Sequence, residues 1–365
     1  MRSTAIDRRT FLALAGGAAL APQGAWASEE ALFLGARLNG GRFEAAVIDE
    51  RGRDRLVLPL EARGHSFAVD APRRRAVAFA RSPGRFAIAF DVEGRDAPQA
   101  IAAAPGRHFY GHGVFTGDGR LMLATENDFE AGRGVIGVYD ATDGFRRLAE
   151  FASQGMGPHE AVLLDDGRTL CVANGGILTH PDYGRAKLNL ATMAPSLAYI
   201  DIASGAVVEQ AALAPELHQL SIRHMAVDAA GDVWFGCQYE GAASERPPLV
   251  GRHRRGRPAE LFAGPRDVLH AMQNYVGSVA LDASGTVLAT SSPRGGLIAF
   301  WDTQSGRHLG HRLLPDGCGI APAARGRVLA TSGRGAILSA GWNSQDALVE
   351  PGKAGPAWDN HLRRL

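Results

Sequence analysis

The sequence predicts an all-β fold, a seven-bladed β-propeller whose ring is closed by a C-terminal inner strand joining three N-terminal strands. Three observations carry that expectation. Glycine is abundant, at 46 of 365 residues, and long helical patterns are scarce, as in chains of short strands joined by tight turns. An apolar strand ending in Asp, with a glycine three or four residues later, recurs at Ile48-Asp49…Gly52, Phe90-Asp91…Gly94, Tyr139-Asp140…Gly144, Ile200-Asp201…Gly205 and Trp301-Asp302…Gly306. Its spacings are 42, 49, 61 and 101 residues, the last long enough for two units, and a unit of about 40–60 residues holding four short strands is a propeller blade. The two ends also complement each other. The N-terminus offers three strands without an inner one, and Trp358-Asp359-Asn360-His361-Leu362 resembles the start of the other inner strands. Pairing them removes the open sheet edges that invite aggregation.

Residues 1–27 stand apart from the repeat. Arg8-Arg9 precede an apolar run from Leu12 to Leu20, and Ala25-Trp26-Ala27 supplies a cleavage site, the pattern of a twin-arginine export signal. A membrane anchor needs roughly 20 apolar residues, so no integral membrane segment is expected after cleavage. The mature chain is read as residues 28–365, a single domain and a monomer in the periplasm of a Gram-negative cell. Blade one takes strands near 31–37, 43–49 and 55–60 together with the C-terminal strand. Blade two runs from His65 to about 104, blade three 109–152, and blade four 157–214 with a long insertion around His180 to Pro195. Blade five runs 220–263, its third strand lacking the terminal Asp; blade six covers 274–313 and blade seven 316–350. In each marked turn the Asp side chain is expected to accept backbone N–H groups while Gly supplies a positive φ.

Composition excludes some functions. Lys plus Arg number 39 against 38 Asp plus Glu, with no basic block, which argues against a nucleic-acid partner. Cys171, Cys237 and Cys318 form no C-x-x-C, and the first two lie in apolar strand runs where a buried free thiol is expected. No G-x-S-x-G elbow, H-E-x-x-H helix or Walker loop occurs.

The chemistry-bearing pattern is a ring of histidines. Gly119 and Gly231 follow His112 and His224 by seven residues, and Gly167 follows His159 by eight. Ser278 holds the equivalent position in blade six, Cys318 or Gly319 in blade seven, and His65 and His361 in blades two and one. Five of seven blades thus place His near the start of the strand lining the channel. Neutral imidazole is the commonest protein ligand for zinc, copper and iron, so these five are the candidate transition-metal ligands. The alternative is that each His bonds the neighbouring blade's backbone in a structural role repeated by duplication. Glu160, and Glu126 or Asp128, would add carboxylates that orient the rings. The long polar loops between second and third strands, which carry Asn127, Asn174, His180 and Arg294, should share that mouth. So should Arg107-His108 and His218 in the loops before inner strands, and Arg185 and Arg294 could grip a carboxylate or phosphate by a bidentate fork.

Several strings resemble the bacterial domain of unknown function 1513 family. They are Gly106-Arg107-His108-Phe109-Tyr110-Gly111-His112-Gly113, Thr125-Glu126-Asn127-Asp128, Gly157-Pro158-His159-Glu160, Ala173-Asn174-Gly175-Gly176-Ile177 and His218-Gln219-Leu220-Ser221-Ile222-Arg223-His224. The match covers essentially the whole mature chain. The resemblance implies an exported propeller encoded beside imelysin-type iron-uptake proteins and a dihaem thiol-oxidoreductase-like protein, hence a part in iron or other metal acquisition. Two other readings remain open on the residues. One is a hydrolase or lactonase-like enzyme on a small polar metabolite, with His as general acid or base. The other is an interaction platform with structural histidines.

Overall fold

The computed structural model describes residues 31–352 and 355–365; the export signal expected over 1–27 lies outside the described residues. Among these residues, 28 strands form seven four-stranded antiparallel sheets arranged as the blades of a propeller. Blade one is the closing blade. Its inner strand, Ala357–Arg364, pairs with Leu32–Asn39, which leads outward to Arg42–Asp49 and Asp54–Pro59. The other inner strands are Gly64–Asp70, Arg107–Phe115, Pro158–Leu163, Leu220–Val227, Ser278–Leu281 and Gly317–Ala324, for blades two to seven. Each neighbours the inner strand of the next blade, so the seven enclose the channel.

Both faces of each blade lie against a neighbour, which explains why the middle strands read as continuous apolar runs. Leu121–Asp128 in blade three is buried along its whole length, whereas the outer strand Val207–Ala212 of blade four alternates toward solvent. The core therefore sits in the seams. Leu121, Leu123, Ile136 and Val138 of blade three pack on Leu170, Val172, Ala198 and Ile200 of blade four. At the closing seam Phe33 and Ile48 pack on Leu329, Ile337 of blade seven and on Trp358 and Leu362.

The recurring Asp-Gly mark does what its chemistry suggests. Asp49 accepts the N–H groups of Arg51 and Arg53 at 2.9 Å, and Asp302 that of Ser305 at 2.8 Å, while Gly52 and Gly306 adopt φ of +77° and +72°. In blade five the third strand, Val250–His253, ends in His253, whose Nδ1 meets the Tyr199 hydroxyl at 2.7 Å across the seam to blade four. The blade-four insertion folds into two short 3-10 turns, Pro181–Tyr183 and Leu190–Thr192. No helix among the described residues is long and apolar enough to cross a membrane.

Candidate metal centre and the cavity above it

The five channel histidines meet in one cluster. Ring centroids lie 4.5 Å apart for His65–His361, 4.6 Å for His112–His361, 4.7 Å for both His159–His224 and His224–His361, and 5.0 Å for His112–His159. His112 is the hub, also within 5.1 Å of His65 and 5.9 Å of His224. Two triads, His65–His112–His361 and His112–His159–His224, each hold ligating nitrogens within 4.8 Å of one another. Four of the rings are buried; His159 is partly exposed and lines the cavity described below.

A local device in the strands delivers these rings. In all five blades the pairing of the inner strand shifts register at or beside the histidine: between Gly64 and Phe67, Phe109 and Gly113, Pro158 and Glu160, Ile222 and His224, and opposite Gly35–Arg37 for His361. Blade six, which places Ser278 there, pairs without a shift, whereas blade seven shifts between Gly317 and Ile320, around Cys318, so the bulge is shared more widely than the histidine. A bulge re-aims side chains and lets neighbours in sequence face the same way, where a regular strand would send them to opposite faces. Accordingly Arg223 and His224 line the same cavity. Gly111 serves the same end: at φ +103°, any Cβ there would sit 2.6 Å from the His65 ring.

The rings are neutral. Burial pushes His65 down to about 3 and His224 to about 4, with Asp359 and Glu160 respectively opposing, and burial, the crowding of the other imidazoles and Arg223 or Arg363 hold His159 and His361 well below the ordinary value. Two carboxylates stand behind the cluster. Asp359 Oδ1 meets His65 Nδ1 at 3.1 Å, and despite its burial His65, Arg81 and Arg63 keep it ionised. Glu160 accepts the Met225 N–H at 2.9 Å and is bound by Arg363; its oxygens lie 3.7 Å from His112 Nδ1 and 3.5 Å from His224 Nδ1. Burial opposes the charge on Glu160, but Arg363 and the imidazoles hold it well below the usual carboxylate range. His112 Nε2, His361 Nε2, His159 Nδ1 and His224 Nδ1 are buried without a hydrogen-bond partner among the described residues. Native interiors rarely leave such atoms unpaired, and each one asks what satisfies it.

A cavity of ≈ 230 Å³ opens over the cluster, with His65, His159 and His224 in its floor. Its walls come from the second-to-third-strand turns of blades two, four and six, with Arg81, Arg185 and Arg294, and from Tyr110 and Tyr275. This is the mouth at which the sequence places the polar loops.

The family model described as protein of unknown function (DUF1513) matches residues 58–365. The chain belongs to the DUF1513 family. No curated protein matches it. Among solved structures, Kuenenia stuttgartiensis hydrazine synthase is similar at 14% identity and a TM-score of 0.59, over 92% of this chain and 99% of that one. The β-propeller domain of Myceliophteria thermophila Cps50 (Swd1) is similar at 12% identity and a TM-score of 0.57, over 89% and 98%. At these identities the likeness shows the fold alone.

The other residues singled out in the DUF1513 sequence are distributed unevenly. Glu160 and Arg294 reach the cluster and the cavity. Arg107 instead bridges Asp128 at 2.9 Å and Glu150 at 2.8 Å within blade three, and Glu126 is buried against Tyr139 Oη at 2.6 Å and Arg147 at 2.7 Å. His108 is enclosed by the Phe109 carbonyl and by Asn127, which also donates to the Thr179 carbonyl and so ties the insertion to blade three. Asn174 exchanges hydrogen bonds with Ser153. His180 Nδ1 accepts the Asp182 N–H, and His218 caps a turn at Pro215. None of these eight, Asp128 included, lines the cavity. The residues that sequence reasoning passed over are Arg81, Arg223 and Arg363. Only Arg223 left a trace, in its position beside His224.

Proposed function

We propose that the protein holds a transition-metal ion in the channel through the histidine cluster and serves as a periplasmic accessory to metal acquisition. One observation carries the reading: five imidazoles, neutral by burial, converge, and four of their buried ring nitrogens have no hydrogen-bond partner among the described residues, His224 Nδ1 lying 3.5 Å from Glu160. Among the described residues unpaired buried ring nitrogens also occur at His253 and His308, but only in the channel do four of them gather. An all-imidazole donor set suits zinc, copper or iron, and offers little to magnesium or calcium, which take oxygen ligands. His112 belongs to both triads, so an ion in either uses it. Asp359 would accept the His65 Nδ1–H and leave Nε2 as that ring's lone-pair nitrogen, while Glu160 is placed to orient His112 and His224. When bound, the ion would supply a positive, Lewis-acidic centre beneath the cavity. Export follows from Arg8-Arg9 and the apolar run after them, and the family resemblance makes iron the expected cargo and an imelysin-type protein the expected partner.

The test is metal analysis of the protein exported by its own signal from cells supplied with iron, copper and zinc. We expect about one bound ion per chain, lost in His112→Ala. Metal-free wild-type protein, or retention by His112→Ala, overturns the reading.

A further inference from the structure

We infer that the cavity over the cluster is a binding site for a small, multiply charged oxyanion, a carboxylate or a phosphate carried by a small molecule. Five cations line it: Arg81, Arg185, Lys187, Arg223 and Arg294. Among the described residues two carboxylates answer them. Glu240 is bound by Lys187 and lies 3.5 Å from Arg223, and Asp359 lies 3.6 Å from Arg81 while already engaged by His65 and Arg63. Five positive charges against two negative ones leave an excess of three, gathered in ≈ 230 Å³.

That excess is held in place rather than dispersed. Arg223 Nε is buried without a hydrogen-bond partner, and the bulge beside it turns the side chain inward. The Arg294 guanidinium carbon sits 4.4 Å from the Tyr275 ring centre, a cation–π contact that holds the group over the ring. Neither Arg185 nor Arg294 has a carboxylate within salt-bridge distance among the described residues. Unneutralised charge in a recess repels itself, so such an arrangement is stabilised by the anion that fills it. Planar guanidinium forks match carboxylate and phosphate oxygens two at a time. The small volume excludes a protein segment or nucleic acid and suits a single small molecule. The site stands on the cations alone, so it does not depend on the ion proposed beneath it.

Isothermal titration of EDTA-treated, dialysed protein at constant ionic strength, with citrate in one arm and inorganic phosphate in the other, tests this. We expect saturable binding of at least one, and the arm that responds names the source of the oxyanion. The double variant Arg185→Gln/Arg294→Gln alters two exposed loop side chains and should weaken binding roughly tenfold or more at an unchanged melting temperature. No saturable binding in either arm, or equal binding by the double variant, overturns the inference. A metal-free protein that still binds the anion would separate it from the metal reading.

Discussion

The channel and one edge of blade three draw on the same residue types and reach opposite states. In blade three Arg107 joins Asp128 to Glu150, Arg147 joins Glu126 to Glu150, and the Tyr139 hydroxyl closes on Glu126. Every charge there has its counter-charge. In the channel five imidazoles face mainly one another, four ring nitrogens have no hydrogen-bond partner among the described residues, and the cavity above carries surplus positive charge. Polar groups that satisfy each other are architecture. Where unpaired ring nitrogens gather in one place, unlike the single unpaired Nε of Arg147 in blade three, an outside species is the natural way to complete them.

That contrast can be broken by acid first, with the largest expected effect. The unfolded chain's histidines take up protons below about pH 6.5, whereas His65 and His224 resist until about 3 and about 4 because burial disfavours their charge. Between those limits the unfolded state binds more protons, so stability falls as pH falls from about 6.5 toward 4. Thermal melts of metal-free protein should show a steep loss across that window, and His65→Gln/His224→Gln should flatten it. A melting temperature flat from pH 7 to 4 would contradict neutral buried rings.

Next in size is a change confined to blade three. Arg147→Met strips Glu126, which is fully buried, of its cation, and breaking a buried pair in this way costs about 3 kcal/mol. Denaturant unfolding should report that loss, with metal content untouched. A fall in bound metal would mean that the two regions are coupled. The smallest expected effect is Glu160→Gln, which keeps the shape but removes the charge behind His112 and His224. Metal affinity should drop about 10- to 100-fold, as for other outer carboxylates, read by competition with a chromogenic chelator. Unchanged affinity would make Glu160 a structural partner of Arg363 and Met225 only.

Much of this molecule is written locally. The Asp-Gly turns mark blade ends because the carboxylate and the positive φ act within four or five residues, and Asp49-to-Gly52 is complete in itself. The equivalence of His112, His159 and His224 follows from counting to the next turn glycine. The mouth residues were less legible. Arg107, Glu126 and Asp128 carry the polar, loop-adjacent signature of a site, but cross-strand partners from other parts of blade three absorb them. Arg223 and Arg363 look like ordinary strand residues, and only contacts with other blades make them part of the centre: Arg363 reaches Glu160, and Arg223 shares a wall with Arg81 of blade two and Arg185 of blade four.

The sequence by itself determined the seven blades, the closure of the ring by Ala357–Arg364 and the placement of five histidines on inner strands, because repeat spacing, strand period and turn chemistry are all short-range. Tertiary structure decided which polar groups converge. A one-residue bulge moves a side chain from one face of a strand to the other, and the register that creates the bulge belongs to the paired strands together, so Arg223 and His224 could meet in one cavity only once the blade was built.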